Sequence, residues 1–139
     1  MSYERSFPVR WSDLDANRHV KNTAYSEMGT HLRFTYLAEN GFGQDKFQAL
    51  QMGPVIFREE TRFHKEVTAG DTLTVTLELV ARSSVGRWHL RHRVLRSDGE
   101  HAATVDVEGA WLDLTARRLK RPPPQLATLL DQLALTVND

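Results

Sequence analysis

Val9-Arg10-Trp11-Ser12-Asp13-Leu14-Asp15-Ala16-Asn17-Arg18-His19-Val20-Lys21-Asn22-Thr23-Ala24-Tyr25 is the stretch in which the chain passes from one periodicity to another. Upstream of its polar middle, Phe7 to Trp11 predicts a first strand. Downstream, Tyr25, Met28, Leu32 and Tyr36 recur at helical spacing, which predicts the longest helix from Thr23 to about Glu39, stopped by Asn40-Gly41. Gly29 inside that helix costs about 1 kcal/mol relative to alanine, a penalty accepted where a backbone presses closely on another element, here a sheet. Asp45 to Gln51 adds a short helical turn before Met52-Gly53-Pro54 breaks it.

From Val55 onward the period becomes two, as pleated strands require. Val55, Phe57, Glu59, Thr61 and Phe63 share one face, and Leu73, Val75, Leu77 and Leu79 share one face of the next strand. Arg87 to Arg96 and His101 to Leu114 give two further strands around Ser97-Asp98-Gly99-Glu100, a hairpin signal because Asp-Gly accepts positive φ. On the penultimate pair, Trp88, Leu90, His92 and Val94 face a core, while Arg87, His89, Arg91 and Arg93 form a basic stripe on the other face, expected to be solvated. His89 and His92 therefore point to opposite faces and share no metal. Beyond Arg121-Pro122-Pro123-Pro124, a stiff spacer, Leu126, Leu129, Leu130 and Leu133 mark a short amphipathic helix near 125–135. The order predicts one α+β domain over 1–139, with one long central helix wrapped by a roughly five-stranded antiparallel sheet.

Forty per cent apolar and 26% charged side chains in 139 residues suit one buried core. No stretch approaches the roughly 20 apolar residues of a membrane helix, and Met1 to Arg10 is too polar for a signal peptide, so a cytoplasmic location is expected. The absence of cysteine removes thiolate nucleophiles and cysteine zinc sites. Eighteen basic residues balance eighteen acidic ones, so no global field favours nucleic acid or anionic lipid. No Gly-x-Ser-x-Gly elbow, Gly-x-Gly-x-x-Gly or Walker A loop is present. His19 lacks further ligands at helical spacing, so neither a metal nor another cofactor is expected.

The quoted run resembles the hot-dog-fold thioesterases of the 4-hydroxybenzoyl-CoA thioesterase type, whose signature reads R-W-x-D-x-D-x-x-G-H-V-N-N-x-x-Y. Arg10, Trp11, Asp13, Asp15, His19, Val20, Asn22 and Tyr25 stand in register with it. Phe63 to Asp71 and Trp111 to Pro122 resemble the family's later segments, and the loop is also similar to that of acyl-ACP thioesterases on the same fold. Two positions depart from the signature: Arg18 replaces its Gly and Lys21 replaces the first Asn of its pair. Thr30 and His31 stand where acidic residues often occur on the family's helix, so no role transfers there. The resemblance implies an acyl-CoA or acyl-ACP thioesterase, a homodimer with further pairing to a tetramer allowed, and acyl sites at the subunit interface. Chain selectivity is then expected between the long helix and the partner's sheet, with Met28, Leu32 or residues of Val55 to Phe57 as candidates.

Thioester hydrolysis needs an activated water or a nucleophile, and donors aimed at the oxygen where charge develops. The loop supplies both. By resemblance Asp15 is the catalytic carboxylate, as general base or as nucleophile through an anhydride, and Asn22, at the start of a helix whose free N–H groups attract an oxyanion, is the carbonyl-binding position. Asn17 and His19 are expected to hold the loop by hydrogen bonds, and Asp13 to be structural. The ordinary use of Asn at this place is a helix N-cap, and of loop acids solvation. A non-catalytic hot-dog dimer that binds acyl chains or protein partners is the alternative.

Overall fold

The computed structural model describes residues 2–135; of the expected span 1–139, Met1 and residues 136–139 lie outside the described residues. Strand β1 (Tyr3–Pro8) is followed by a 3-10 turn (Trp11–Asp13), the long helix α1 (Asn22–Glu39) and a short helix α2 (Gln44–Leu50). Strands β2 (Met52–Phe63), β3 (Thr72–Arg82), β4 (Arg87–Leu95) and β5 (His101–Asp113) come next, then the two-residue β6 (Arg118–Leu119) and helix α3 (Pro124–Asp131). The named strands pair antiparallel, in the order β1-β3-β4-β5-β2, with β6 beside β5. This is the α+β arrangement that the periodicities predict, with the short β6 as a sixth strand.

Leu73, Val75, Leu77 and Leu79 of β3 and Trp88, Leu90, His92 and Val94 of β4 all face the core, as the alternation requires. Against them α1 lays Ala24, Tyr25, Met28, Gly29, Leu32 and Tyr36. The close approach expected at Gly29 is to His92: a Cβ on Gly29 would lie 2.7 Å from the His92 ring. Met28 and Leu32 are thereby enclosed in the core of their own chain. Leu126, Leu129, Leu130 and Leu133 are buried too, and the Tyr36 hydroxyl donates to the Leu129 carbonyl. Helix α3 stops at Asp131, short of the expected 135, and the residues after it turn along β3, where Leu79 N–H donates to the Ala134 carbonyl at 3.0 Å.

Two strands differ from the sequence pattern. The first strand was expected over Phe7 to Trp11, but β1 ends at Pro8 because the Asp13 carboxylate accepts the Arg10 backbone N–H at 2.8 Å and draws the chain into the 3-10 turn. Trp11 is left 90% exposed. In β2 a bulge between Ile56 and Arg58 leaves Phe57 without a partner on β5, so Val55 to Phe63 do not share one face. Gly109 sits opposite, where a Cβ would meet the Trp88 ring at 2.7 Å. The strand lies at the edge of the sheet, with Ile56, Phe57 and Phe63 about half exposed.

Candidate active site

Two carboxylates two residues apart have opposite surroundings. Asp13 is 1% exposed and accepts from Arg10 three times: backbone N–H at 2.8 Å, Nε at 3.3 Å and Nη2 at 3.0 Å. Burial pushes its pKa up, but the Arg10 hydrogen bonds and charge outweigh burial and hold the carboxyl below the usual range. Its carbonyl accepts the Lys21 N–H at 2.7 Å, so Asp13 ties both ends of the loop together. Asp15 is exposed. Its Oδ1 accepts the backbone N–H groups of Asn17 at 2.8 Å and His19 at 3.2 Å, while Oδ2 accepts nothing among the described residues. One oxygen is anchored and the other is available.

The loop closes as a narrow hairpin: Asp15 N–H donates to the His19 carbonyl at 2.9 Å, and Leu14 pairs with Val20. Val20 N–H then donates to the Val67 carbonyl at 2.8 Å and His19 pairs with Thr68, which joins the loop to the segment after β2. His19 Nε2 lies 3.1 Å from Glu66 Oε2. Asn17 and His19 thus hold Asp15 through their backbones; the Asn17 side chain makes no hydrogen bond among the described residues. Lys21 occupies the cap position without a side-chain cap bond, so Asn22 is the first helical residue and not the N-cap. Its backbone N–H has no acceptor among the described residues, as expected in a first helical turn.

Asp15, His19, Asn22 and Tyr25 line an open cleft of about 410 Å³ together with Phe63, His64 and Glu66. The Tyr25 ring meets Phe63 edge-on at 5.7 Å, and burial together with the Asp15 charge pushes its hydroxyl pKa up. His64 is held from behind. His101 Nε2 is 2.8 Å from the Ala103 carbonyl oxygen, which only accepts, so that nitrogen carries a proton. Thr104 Oγ1 accepts from it at 2.9 Å and lies 3.0 Å from His64 Nε2. Sequence reasoning missed Tyr25, His64 and Glu66 as site residues. Tyr25 was legible as a motif position, whereas His64 and Glu66 reach the cleft through the long-range pairing of the loop with residues 67–68. Among the described residues no group of three or more His, Asp or Glu side chains stands close enough to hold a metal.

The same residues belong to a known pattern: the profile of the thioesterase-like superfamily matches residues 9–130. The chain belongs to the thioesterase-like superfamily. Solved structures agree on the fold, which is the hot-dog fold. A Staphylococcus aureus protein characterised in complex with CoA has a TM-score of 0.91 at 20% identity, over 99% of this chain and 89% of that one. A 1,4-dihydroxy-2-naphthoyl-CoA thioesterase from Synechocystis has a TM-score of 0.86 at 15% identity, over 96% and 98%. A DHNA-CoA thioesterase from Staphylococcus aureus has a TM-score of 0.82 at 13% identity, over 94% and 89%. No curated protein matches the chain.

Where the thioesterase signature given above has Gly, Arg18 takes a left-handed conformation at φ 63°. The loop path that suits glycine is kept here by an arginine under backbone strain. Of the basic stripe on β4, Arg87 is exposed as expected, but the other three side chains are paired with acids. Arg91 is 8% exposed and donates from Nε to Asp106 at 2.9 Å, His89 Nε2 lies 2.8 Å from the same carboxylate, and Arg93 pairs with Glu78 at 3.1 Å. Neighbouring strands supply these acids at matching register, Asp106 opposite Arg91 on β5. No helix of the described residues is long and apolar enough to cross a membrane.

Proposed function

We propose that this chain is an acyl-CoA thioesterase in which Asp15 is the catalytic carboxylate and the N-terminus of α1 at Asn22 receives the thioester carbonyl oxygen. The observation that carries this is the state of Asp15: Oδ1 is anchored by two backbone N–H groups, Oδ2 is unoccupied, and the carboxylate shares a cleft with the start of α1. As a base, Oδ2 takes a proton from water while the water oxygen bonds to the carbonyl carbon. The tetrahedral intermediate then expels the thiolate, which takes the proton back. As a nucleophile, Oδ2 bonds to the carbonyl carbon as the C–S bond breaks and the thiolate leaves; water then cleaves the anhydride, restoring the Asp15 carboxylate and giving up the proton that the thiolate takes. On either route the negative charge grows on the carbonyl oxygen, where the unpaired N–H of Asn22 and the positive end of the helix dipole stabilise it. CoA as carrier is supported by the thioesterase neighbours; an acyl-carrier protein remains the competing carrier.

The working form is a homodimer, with a tetramer as further pairing. The edge strand β2 carries Ile56, Phe57 and Phe63 half exposed, and a two-fold partner pairs such an edge while covering its apolar residues. A compact monomer in sedimentation at micromolar concentration overturns the dimer. The activity is tested by a hydrolysis screen over acyl-CoA thioesters of graded length and aromatic character, with an acyl-ACP included. Hydrolysis that vanishes in Asp15→Asn supports the assignment. No hydrolysis of any member, with acyl-CoA still bound, favours a non-catalytic acyl-binding dimer.

A further inference from the structure

Arg33 lies on the buried face of α1, 7% exposed, and its side-chain partners are neutral. Nη1 donates to His92 Nε2 at 2.9 Å and Nη2 donates to the Thr30 hydroxyl at 3.1 Å. His92 is no counter-ion. It gives its Nδ1–H to the Thr76 carbonyl at 2.8 Å, and burial, reinforced by the Arg33 charge, brings its pKa down to about 3. Thr30 passes its own hydrogen to the Ser26 carbonyl at 3.0 Å. Burial pulls the Arg33 pKa down, and the charge of Glu59 on β2 opposes this, yet the two form no ion pair among the described residues. Arginine keeps its proton in proteins, so a full positive charge is largely withdrawn from bulk solvent, which is costly unless an anion meets it.

Arg33 lines a cavity of about 80 Å³ between α1 and the sheet. Trp88 and Trp111 form part of its apolar wall, as do Phe34 and Ile56, which are about half exposed in the single chain. The indole N–H of Trp88 is buried and has no acceptor. Tyr36 also lines the cavity, but its hydroxyl is committed to Leu129. The unmet polar groups of these side chains are therefore all donors.

We propose that this cavity binds a small organic carboxylate, its oxygens on the Arg33 guanidinium and its apolar body against Trp88 and Trp111. A carboxylate supplies both the missing charge and the missing acceptors. A neutral amide of the same shape brings N–H donors to a donor-lined wall. Two sources share this chemistry: a free carboxylic acid, or the far end of an acyl group that carries a second carboxylate. About 16 Å of helix rise separates Asn22 from Arg33, so the carboxylate bound here is not the one released beside Asp15 of the same chain.

Benzoate and hexanoate, each paired with its amide, are titrated into the intact protein by calorimetry and by the fluorescence of Trp88 and Trp111. The acids are expected to bind at least tenfold tighter than the amides, Arg33→Gln to abolish that preference, and Asp15→Asn to leave it unchanged. Should Arg33→Gln fail to fold, Trp88→Phe keeps an aromatic side chain, removes the indole N–H and is expected to weaken the acids several-fold. Equal binding of acids and amides, or no saturable binding, overturns the proposal. So does an acid preference that survives Arg33→Gln. Loss of the dimer in Arg33→Gln without acid binding by the parent assigns Arg33 to a subunit contact, which also overturns it. A second arm rests on the thioesterase activity and compares CoA thioesters with and without a distal carboxylate. A kcat/KM advantage for the dicarboxylate that Arg33→Gln removes identifies the acyl group as the source, and equal kcat/KM with free-acid binding intact identifies the free acid. The titrations stand even if no thioester is hydrolysed.

Discussion

The two ends of α1 handle charge in opposite ways. At its N-terminus the helix faces an open cleft, and the carboxylate there, Asp15, is solvated, held by one oxygen and left free at the other. Three turns further on, Arg33 is enclosed against β4 with a neutral histidine for a neighbour. The first end keeps its ion ready by leaving it in water and restraining its orientation with backbone N–H groups. The second holds a charge on the wall of a cavity with no carboxylate paired to it among the described residues. An exposed anion thus stands before the helix and a buried cation lies along its body, and burial alone does not decide how a cation is met: Arg91, equally buried on the opposite face of β4, is paired with Asp106.

The comparison is broken most directly at Asp15. Asp15→Asn keeps size and hydrogen bonding but neither deprotonates water nor forms an anhydride, so turnover is expected to fall about 100- to 10,000-fold in a folded protein. Steady-state hydrolysis near the parent rate removes Asp15 from the chemistry.

The buried end responds to pH. His92 stays neutral down to about 3 in the folded chain but takes a proton near 6.5 once unfolded. The unfolded state therefore binds more protons between those values, and stability falls as pH drops through that window, by about 1 kcal/mol per unit. His101, pushed down by burial and then by His64, contributes with the same sign. Urea unfolding at pH 7, 6 and 5 is expected to show this slope, and His92→Gln to flatten it. A parent protein equally stable at pH 7 and 5 contradicts the buried neutral histidine.

Gly29→Ala pushes a methyl into the His92 ring and is expected to destabilise by about 1–3 kcal/mol in the same assay, against the small gain that alanine brings to an open helix site. Asp13→Asn removes a buried acceptor from Arg10 and should cost about 1–3 kcal/mol of stability, with a smaller loss of turnover than Asp15→Asn. The smallest effect is expected at Arg18: glycine relieves the left-handed strain at φ 63° and raises stability by at most about 1 kcal/mol. A loss of stability there shows that the arginine side chain itself supports the loop.

Much of this was visible in the residues alone. The period of 3.6 from Tyr25 to Tyr36 and the period of two in β3 and β4 follow from backbone geometry that acts over a few residues, so helix, strands and core faces were legible. The run from Arg10 to Tyr25 likewise marked Asp15 and Asn22 before any fold was known. Three things were decided only in three dimensions. The Phe57 bulge broke an alternation that looked continuous, because whether a residue is paired depends on the neighbouring strand. His64 and Glu66 joined the Asp15 cleft because Val20 and His19 pair with Val67 and Thr68, some fifty residues away. The sequence pattern left Arg91 on a face expected to be solvated and did not single out Arg33, yet strand register set Asp106 beside Arg91 while the packing of α1 gave Arg33 neutral partners, since the energy of a buried charge is set by what the assembled chain places beside it.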